Sequence, residues 1–493
     1  MSRDAFEHFL ADRSRRGDAP AGSHSGAAGG APCGDLVRIS LALAGGRVEA
    51  TRFDAEGCSA TLAAGAAVSE ELEGRTVLDA ARLGPDDVAN LLGGLSPQGH
   101  HAAELAADAV HRALTAAIAS DAQLVPGSDH PARDPAAPGR EAEEAAVVLV
   151  AMSGGVDSAI AALLERRRGA EVIAVTLKLW ADRHTDGARS CCSPEAVVGA
   201  RALAHSMDIP HLTMDLEHAF RETVVGDFLA GHAAGRTPNP CVRCNGMVRL
   251  DAMVELAGRL GADRLATGHY ARIADDGEGP LLVTPADRSK DQTYMLSAVA
   301  PETLARMRFP LAELAKPQVR HIAAEAGLPV ASKRESQDLC FLAGQGKRSF
   351  LARHSRLAER DGEILDRAGR VLGRHRGHHG FTVGQRRGLG ISAPAPLYVL
   401  ETDARSNRVV VGSREALDTT RVVVRDAVLR RDEGRVDRVK LRYRSRALAC
   451  SVEAGDRDGE LTLRLAEPVS GVAPGQTASL MDGEAVVGHA TIA

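Results

Sequence analysis

A chain of 493 residues allows roughly two to four domains, and its 44% hydrophobic and 25% charged residues are those of a globular protein rather than a disordered or fibrous one. No apolar run approaches the ~18 residues of a membrane span, and residues 1–16 lack an apolar signal core, so we expect a cytoplasmic protein without a membrane partner. The net charge of −5 is uneven: residues 31–144 carry 8 Arg and Lys against 18 Asp and Glu, whereas residues 315–390 carry 15 against 7, so the second segment is the candidate surface for nucleic acid.

The first predicted domain covers residues 31–124. Residues 1–30, which are polar and then rich in Gly, Ala and Ser, precede it and predict a disordered tail. Alternating apolar residues on both sides of Gly45-Gly46 predict a β-hairpin. Ala-rich segments with helical spacing, residues 59–72 and 101–119, predict two helices after it.

A second domain is predicted over residues 146–345. Pro and Gly recur over residues 125–145, which predict a linker before it. The domain opens on the continuous apolar run 146–151, which is typical of a buried parallel strand. A Gly-rich loop, a helix over residues 158–168 and a strand over residues 172–179 follow. This alternation predicts a doubly wound α/β sheet.

The last third of the chain changes character. Short strands and frequent turns predict a small central domain, residues 346–417, and a C-terminal β-barrel, residues 418–493. The basic segment named above extends into the central domain. Its charge fits either a phosphate-binding surface or an ordinary solvated one.

The loop Ser153-Gly154-Gly155-Val156-Asp157-Ser158 stands between the first apolar strand and its helix. Glycines in such a place let backbone N–H groups face a phosphate, although a tight turn alone would also explain them. The Lys-Ser/Thr ending of the common P-loop is absent. The hexapeptide resembles the pyrophosphate loop of the ATP-pyrophosphatase superfamily, whose members transfer AMP to an oxygen. That resemblance implies ATP as a substrate and Asp157 as a ligand of Mg²⁺.

The cysteines of the second domain suggest sulfur chemistry. Eight cysteines are too few for a disulfide scaffold at this length. Cys241 and Cys244 follow a Pro-rich turn, and Cys340 lies on a separate segment. Two thiols in one ATP domain suit a relay in which one cysteine carries a persulfide and the other resolves it as a disulfide. Nearby Arg243, Lys333 or Arg334 would raise thiolate reactivity.

Residues 146–493 resemble the bacterial tRNA-specific 2-thiouridylases in eight stretches that occur in family order. The stretches are 153–158 (SGGVDS), 235–240 (GRTPNP), 266–270 (ATGHY), 290–294 (KDQTY), 316–320 (KPQVR), 384–390 (GQRRGLG), 442–444 (RYR) and 474–476 (PGQ). The resemblance implies 2-thiolation of the wobble uridine of tRNA, by adenylation of its C2 oxygen and attack of sulfur on C2. A base in the anticodon loop can leave its stack at a small cost in free energy.

The same resemblance implies a role for individual residues. Cys340 would carry the persulfide, and Cys244 would release the product and form a Cys244–Cys340 disulfide. The ATP contacts would be Ala151, Met152, Ser153, Gly154, Gly155, Val156, Asp157, Ser158, Leu177 and Gly268. The contacts to tRNA and its target base would be Asn239, Pro240, Cys241, His269, Lys290, Asp291, Gln292, Arg442, Tyr443 and Gln476.

One departure from the family pattern leaves the sulfur route open. Many members of the family have Asp where this chain has Cys241. Cys241, Cys244 and Cys340 could therefore hold a 4Fe–4S cluster whose open iron binds the sulfide to be transferred, in place of a persulfide. The vicinal pair Cys191-Cys192 fits either a plain loop or a redox role, and Cys450 fits the barrel core.

The first domain carries a second group of potential ligands. Cys33, Asp35 and Cys58 flank the predicted hairpin, and over residues 31–120 the pattern resembles the IscU/NifU iron–sulfur scaffolds. Where that family has a third cysteine this chain has Ala102, preceded by His101. Cys33, Asp35, Cys58 and His101 could hold zinc, iron or a weakly bound cluster, or the domain could be a degenerate scaffold that serves as a docking platform.

These resemblances imply a multidomain fold: an α+β scaffold-like domain, a doubly wound α/β ATP-pyrophosphatase domain, a central domain in contact with tRNA and a C-terminal β-barrel. The acidic first domain would pass on sulfur or dock a cysteine desulfurase. Two other functions stay open. One is an iron–sulfur carrier, which would not bind tRNA. The other is an amidotransferase-linked synthetase, which would not explain Cys244 and Cys340.

Overall fold

The computed structural model describes residues 3–30, 34–120, 122–125, 146–182, 193–333, 339–342, 344–355, 359–457 and 459–493. Cys33, Arg334, the pair Cys191-Cys192 and nearly all of the predicted linker lie outside these ranges. Among the described helices, none is long and apolar enough to cross a membrane.

The helices and strands are numbered in chain order. The helices are α1 (Arg3–Ala11), α2 (Ser59–Leu72), α3 (Val77–Ala80), α4 (Pro85–Leu91), α5 (His100–Ile118), α6 (Val156–Arg167), α7 (Pro194–Ser206), α8 (Glu217–Phe220), α9 (Gly226–Ala233), α10 (Pro240–Cys244), α11 (Leu250–Arg259), α12 (Thr293–Leu296), α13 (Pro301–Ala305), α14 (Lys316–Glu325) and α15 (Lys347–His354), with π-helical turns at Arg221–Val225 and Asn245–Arg249. The strands are β1 (His24–Gly29), β2 (Leu36–Ala44), β3 (Arg47–Glu56), β4 (Val147–Ala151), β5 (Glu171–Lys178), β6 (His211–Asp215), β7 (Arg264–Thr267), β8 (Arg272–Asp275), β9 (Pro280–Val283), β10 (Met307–Arg308), β11 (Gly362–Leu365), β12 (Val371–His375), β13 (Tyr398–Asp403), β14 (Arg408–Gly412), β15 (Asp418–Leu429), β16 (Arg438–Lys440), β17 (Leu448–Ala454), β18 (Glu460–Ser470), β19 (Thr477–Asp482) and β20 (Ala485–Ile492).

The N-terminal domain is a three-stranded antiparallel sheet, β1-β2-β3, with α2 and α5 packed on it. The predicted disordered tail over residues 1–30 is wrong, because this segment supplies both α1 and the edge strand β1. The Gly and Ala residues that suggested flexibility allow close packing instead. A Cβ at Gly26 would lie 2.3 Å from the carbonyl oxygen of Ala109 on α5.

The second domain contains a five-stranded sheet in the order β10-β7-β4-β5-β6, with all pairs parallel. The predicted doubly wound sheet is therefore confirmed. The first strand of the domain, β4, lies between the second, β5, and the fourth, β7. The order of the strands reverses between β4 and β7, and ligands bind at such a reversal, beyond the carboxyl ends of the strands.

The C-terminal β-barrel predicted from the sequence is confirmed. Six antiparallel strands follow the order β15-β18-β17-β16-β19-β20, and pairing of β15 with β20 closes them. The hairpin β8-β9, which comes from the second domain, extends this sheet through pairing of β9 with β20. The sequence analysis did not predict this hairpin. The central domain is a separate sheet, in the order β12-β11-β14-β13.

The N-terminal domain docks against α7, β6 and α11 of the second domain. Arg201 on α7 forms a 2.7 Å ion pair with Asp108 on α5 and is only 8% exposed. Arg259 on α11 donates to the carbonyl oxygen of Ile118 at the end of α5, at 2.7 Å. The backbone N–H of His211 donates to the carbonyl oxygen of Ala81 at 3.0 Å. These contacts fix the position of the N-terminal domain on the second.

Three histidines are enclosed at this junction. The Nε2 of His111 hydrogen-bonds to the carbonyl oxygen of Leu83, and that of His205 to the carbonyl oxygen of Ala81, both at 3.0 Å. Burial lowers the pKa of His111, His205 and His211 below the usual value. They are therefore neutral near pH 7, and their Nε2 atoms can be donors to these carbonyl groups or acceptors from hydroxyls.

Replacing Arg201 with methionine should lower the free energy of unfolding by about 1–3 kcal/mol, because a charged hydrogen bond in a nearly buried place is lost. Arg112→Met is the matched control. Arg112 also binds Asp108, at 2.8 Å, but is 56% exposed, so its loss should cost less than ~1 kcal/mol. Urea denaturation of the full chain measures both, and equal losses would contradict the role given to Arg201.

Candidate active site

A cavity of about 220 Å³ opens at the carboxyl ends of β4, β5 and β7. Seven of the ten predicted ATP contacts line it: Ala151, Met152, Ser153, Asp157, Ser158, Leu177 and Gly268. The other three predicted contacts, Gly154, Gly155 and Val156, belong to the same glycine loop, residues 153–158, without lining the cavity. The cavity thus lies at the strand reversal between β4 and β7.

The glycine loop folds back onto the first turn of α6. Gly154 has φ of +67°, which is accessible to glycine without strain. The Oγ of Ser158 accepts from the N–H of Ser153 and donates to the carbonyl oxygen of Gly155, both at 3.1 Å. A Cβ at Gly268 would lie 2.7 Å from the backbone of Asp157. Only glycine at this position allows the chain after β7 to come so close to the loop. The N-terminus of α6 is a place that favours an anion.

Two lysines bring positive charge to the glycine loop. The Nζ of Lys316 lies 2.7 Å from both carboxylate oxygens of Asp157, and the Oη of Tyr270 donates to the same carboxylate at 3.0 Å. The Nζ of Lys333 donates to the carbonyl oxygen of Gly154 at 2.9 Å. The sequence analysis placed Lys333 beside the cysteines and gave Lys316 no role. The stretch 316–320 (KPQVR), one of the eight that resemble the family, is the sequence signal that could have identified Lys316.

Asp157 is the carboxylate of the cavity lining that could bind a metal ion. Mg²⁺ is commonly held by one or two carboxylates together with substrate phosphates and water. One aspartate at the N-terminus of α6 fits such a site, with most ligands coming from a bound nucleotide. Lys316 holds both oxygens of this carboxylate in the present conformation.

The short helix α10 carries two of the predicted thiols. The Oδ1 of Asn239 caps it by accepting from the N–H groups of Cys241 and Val242, both at 3.2 Å. Cys241 is half-buried in the first turn, whereas Cys244 at the end is 6% exposed and belongs to the apolar core. Cys340 is partly buried and packs against the same core cluster.

The loop that bears Cys340 is anchored by an aromatic cluster. Phe341 is 1% exposed, and its ring lies 5.0 Å from that of Phe350 and 5.2 Å from that of Phe228. Since Phe228 is on α9 and Phe350 on α15, the cluster holds the loop between two helices. The residues just before Leu339 lie outside the described ranges.

The predicted 4Fe–4S site would take its ligands from Cys241, Cys244 and Cys340. Within the ranges given above, no group of three or more His, Cys, Asp or Glu side chains is arranged to hold a metal ion. Cys244 is enclosed by apolar side chains, while Cys241 and Cys340 occupy partly exposed positions. The predicted three-cysteine cluster therefore stays a prediction.

The predicted tRNA contacts nearest the cavity are His269 and Gln292, and both line it. The Nδ1 of His269 lies 2.8 Å from the Oγ1 of Thr267, and the Oε1 of Gln292 accepts from the N–H of Tyr270 at 2.8 Å. Burial, followed by the charge of Arg249, lowers the pKa of His269 to about 3. His269 is therefore a neutral hydrogen-bonding group.

Other predicted tRNA contacts connect the barrel to the turn before α10. The Nε2 of Gln476 donates to the carbonyl oxygen of Thr237 at 2.8 Å. Arg442 is exposed and donates to the carbonyl oxygen of Ser470 at 2.7 Å. Tyr443 is half-buried beside it. Arg442 is thus open to a large ligand, while Gln476 also has a structural contact.

Asp291, another predicted tRNA contact, is held by polar contacts within the protein. Its Oδ2 lies 2.7 Å from the Nζ of Lys440 in the barrel, and each side chain is 8% exposed. Its Oδ1 accepts from the N–H and the Oγ1 of Thr293 at 2.9 and 2.7 Å. Both oxygens are engaged, so Asp291 joins the second domain to the barrel. Its neighbour Lys290 is half-buried.

The N-terminal domain brings together two of its four predicted ligands. The Oδ1 of Asp35 accepts from the N–H of Cys58 at 2.8 Å, and a Cβ at Gly57 would lie 1.9 Å from that oxygen. The thiol of Cys58 is exposed. His101 is 45% exposed and lies 3.5 Å from Glu104. Cys33, the remaining predicted ligand, lies outside the described residues, so the metal site stays a prediction.

The basic segment supplies exposed cations mainly from the central domain and the helix before it. The exposed arginines of this segment include Arg348, Arg374, Arg376, Arg386 and Arg387. Two histidines of the same segment, His375 and His378, are buried.

Family models match the chain in four consecutive segments. They are described as a NifU-like N terminal domain (residues 2–120), a tRNA methyl transferase HUP domain (146–344), a tRNA methyl transferase PRC-barrel domain (348–413) and an aminomethyltransferase beta-barrel domain (426–492). The matched segments follow the order of the observed domains. The match at residues 2–120 agrees with the folding of the first 30 residues.

Among curated relatives, the bifunctional protein NifU/MnmA of Rubrobacter xylanophilus is 47% identical over 99% of this chain and 97% of its own length. The tRNA-specific 2-thiouridylase MnmA of Acidithiobacillus ferrooxidans is 42% identical over 69% of this chain and 96% of its own length. The protein of the same name from Beutenbergia cavernae is 43% identical over 70% of this chain and 94% of its own length.

Replacing Asp291 with alanine should destabilise the protein by about 3–5 kcal/mol, because Lys440 is left as a buried charge without this partner. The double variant D291A/K440M should recover part of the loss, since neither charge remains. Glu467→Ala is the control: it breaks the exposed ion pair with Arg446 and should cost less than ~1 kcal/mol. Denaturant unfolding is the measurement, and a D291A loss no larger than that of E467A would contradict the structural role.

Proposed function

Because the chain belongs to the tRNA-specific 2-thiouridylase family and carries a NifU-like domain at its N-terminus, we propose that it replaces the C2 oxygen of the wobble uridine with sulfur in an ATP-dependent reaction. The enzyme class follows from the family. The observation that carries the finer proposal is the cavity beside the glycine loop, which seven of the ten predicted ATP contacts line. Cys244 and Cys340 both pack against the extended apolar core of the same domain.

The first step is adenylation of the uridine. The C2 oxygen attacks the α-phosphorus of ATP, the bond from that phosphorus to the bridging oxygen breaks, and pyrophosphate leaves. The N-terminus of α6 and the lysines Lys316 and Lys333 provide positive potential for the phosphates. Asp157 with the phosphates would hold magnesium, which neutralises phosphate charge.

The second step exchanges oxygen for sulfur. The terminal sulfur of a Cys340 persulfide attacks C2, and AMP leaves with the former C2 oxygen. The thiolate of Cys244 then attacks the Sγ of Cys340, which breaks the S–S bond and releases the 2-thiouridine. The products are the modified base and a Cys244–Cys340 disulfide, which a thiol reductant must return to two thiols before the next turnover.

The arrangement of the cysteines favours this route over an iron–sulfur one. A cluster needs several ligands gathered around one centre, and the described residues offer no such group. A relay needs only two thiols, one of which can be shielded. The apolar surroundings of Cys244 suit a resolving thiol that reacts only after AMP has left.

The tRNA would lie across the central domain and the barrel. The exposed arginines of the central domain supply phosphate contacts, and Arg442 extends this surface toward the barrel. The neutral His269 and Gln292 in the cavity can hydrogen-bond to an everted base. This division between a basic surface and a neutral pocket supports a tRNA substrate.

Cys340→Ser and Cys244→Ser should each lower 2-thiouridine formation by at least about 10³-fold, because each removes a nucleophile. C340S should still release pyrophosphate when tRNA is added, since adenylation precedes sulfur transfer. Cys450→Ser is the control: burial raises the pKa of the Cys450 thiol to about 11, so it is a poor nucleophile. Thiolated tRNA is measured by mass spectrometry of its nucleosides.

The iron–sulfur route predicts a different dependence of thiolation activity on bound iron. Protein purified without oxygen should be fully active with no bound iron if the persulfide relay is correct. An activity that rises and falls with iron content would contradict the relay, and so would a C340S variant that still thiolates tRNA.

The N-terminal domain would accept sulfur from a cysteine desulfurase and pass it to the thiolation site. The exposed thiol of Cys58, next to the carboxylate of Asp35, supports this role. Cys58→Ser should therefore lower thiolation when sulfur comes from cysteine and a desulfurase, and leave it unchanged when a low-molecular-weight persulfide supplies the sulfur directly. C450S again serves as control, and equal rates for C58S and wild type with the desulfurase would exclude delivery through Cys58.

A further inference from the structure

Arg249 enters the active-site cavity from the turn that follows Cys244. It is the last residue of the π-helical turn Asn245–Arg249, a kind of turn that is rare and frequent at functional sites. Arg249 lines the cavity together with Ser153 of the glycine loop and His269. It therefore shares one cavity with the predicted phosphate site and the predicted base site.

The backbone of this turn is held firmly. The Nδ2 of Asn245 donates to the carbonyl oxygen of Met295 at 2.8 Å, and Asn245 is 4% exposed. A Cβ at Gly246 would lie 2.7 Å from both the Cβ and the carbonyl oxygen of Ala298, so the turn packs directly on this segment. The starting point of the Arg249 side chain is thus fixed relative to Cys244.

The charge of Arg249 lacks an evident counter-charge in the cavity. Its Nε is buried and has no hydrogen-bond partner among the described residues. The titratable side chains that line the cavity with it are Asp157 and His269. Asp157 is neutralised by Lys316, at 2.7 Å, and His269 is neutral. A cation with a buried, unsatisfied N–H group is costly, and a bound anion would remove that cost.

We propose that Arg249 binds the α-phosphate of ATP and, after transfer, the phosphate of the adenylylated uridine, an inference that rests on the proposed function. As the C2 oxygen bonds to phosphorus and pyrophosphate departs, negative charge stays on the non-bridging oxygens. A guanidinium offers two parallel N–H groups to such oxygens. The same contact stabilises AMP as the leaving group when sulfur attacks C2.

The position of Arg249 distinguishes it from the arginines expected to bind the tRNA backbone. Those of the central domain are exposed, whereas Arg249 is partly buried in a cavity that the glycine loop also lines. Arg249 would consequently affect the chemical step and AMP binding, while the exposed arginines would affect tRNA affinity.

The test compares Arg249→Met and Arg249→Lys with wild type. R249M should slow tRNA-dependent pyrophosphate release in a single turnover by about 10²–10³-fold at saturating tRNA, as loss of one transition-state donor does elsewhere. It should also weaken binding of AMP to the tRNA-free protein, measured by calorimetry, while filter binding shows unchanged tRNA affinity. R249K should restore part of both activities, because lysine keeps the positive charge but lacks the two parallel N–H groups of a guanidinium.

Arg272→Met is the matched control. Arg272 is 44% exposed on β8, 3.9 Å from Glu313, and R272M should behave as wild type in each measurement. A wild-type rate of pyrophosphate release and wild-type AMP affinity in R249M would overturn the inference. Weaker tRNA binding with an unchanged rate at saturating tRNA would also overturn it, since Arg249 would then be a backbone contact. If wild type itself released no pyrophosphate with tRNA, the proposed function would fail and this inference with it.

Discussion

The carboxylate of Asp157 is the point on which the active site depends. It lies in the first turn of α6, and it receives hydrogen bonds from Lys316 at the start of α14 and from Tyr270 after β7. Three segments that are far apart in sequence are thereby fixed around one end of the sheet. Tyr270 is in turn tied to Gln292, which lines the cavity. The geometry of the proposed phosphate site and that of the proposed base site are consequently coupled through a few polar contacts.

Those polar contacts require close backbone packing, which explains the glycines of the site. Gly268 lets the end of β7 approach the glycine loop, and Gly246 lets the turn after Cys244 pack on Ala298. A side chain at either position would push apart the elements that carry the reacting groups. Within this frame Cys244 and Arg249 extend from one turn, so the thiol and the guanidinium keep a constant relation to each other.

Local patterns predicted most of the fold and much of the site. The apolar run of β4, the glycine loop and the helix after it are adjacent in sequence, so periodicity and turn chemistry suffice to predict them. Contacts between distant segments left no such trace: pairing of β9 with β20, and the ion pair of Lys316 with Asp157, depend on tertiary packing. The prediction of disorder for residues 1–30 was wrong for a related reason. Gly and Ala suggest disorder by composition, yet in β1 their small size permits close contact with α5.

The docking of the N-terminal domain bears on how sulfur reaches the uridine. Arg201 and Arg259 bind it through contacts that are largely buried, and neutral histidines fill the junction. A domain held in this way stays at a fixed place on the second domain instead of sweeping around it. Cys58 is exposed and thus accessible to an incoming donor, whereas Cys244 is only 6% exposed. Sulfur transfer between domains would thus need either a carrier that leaves Cys58 or a temporary release of the docked domain.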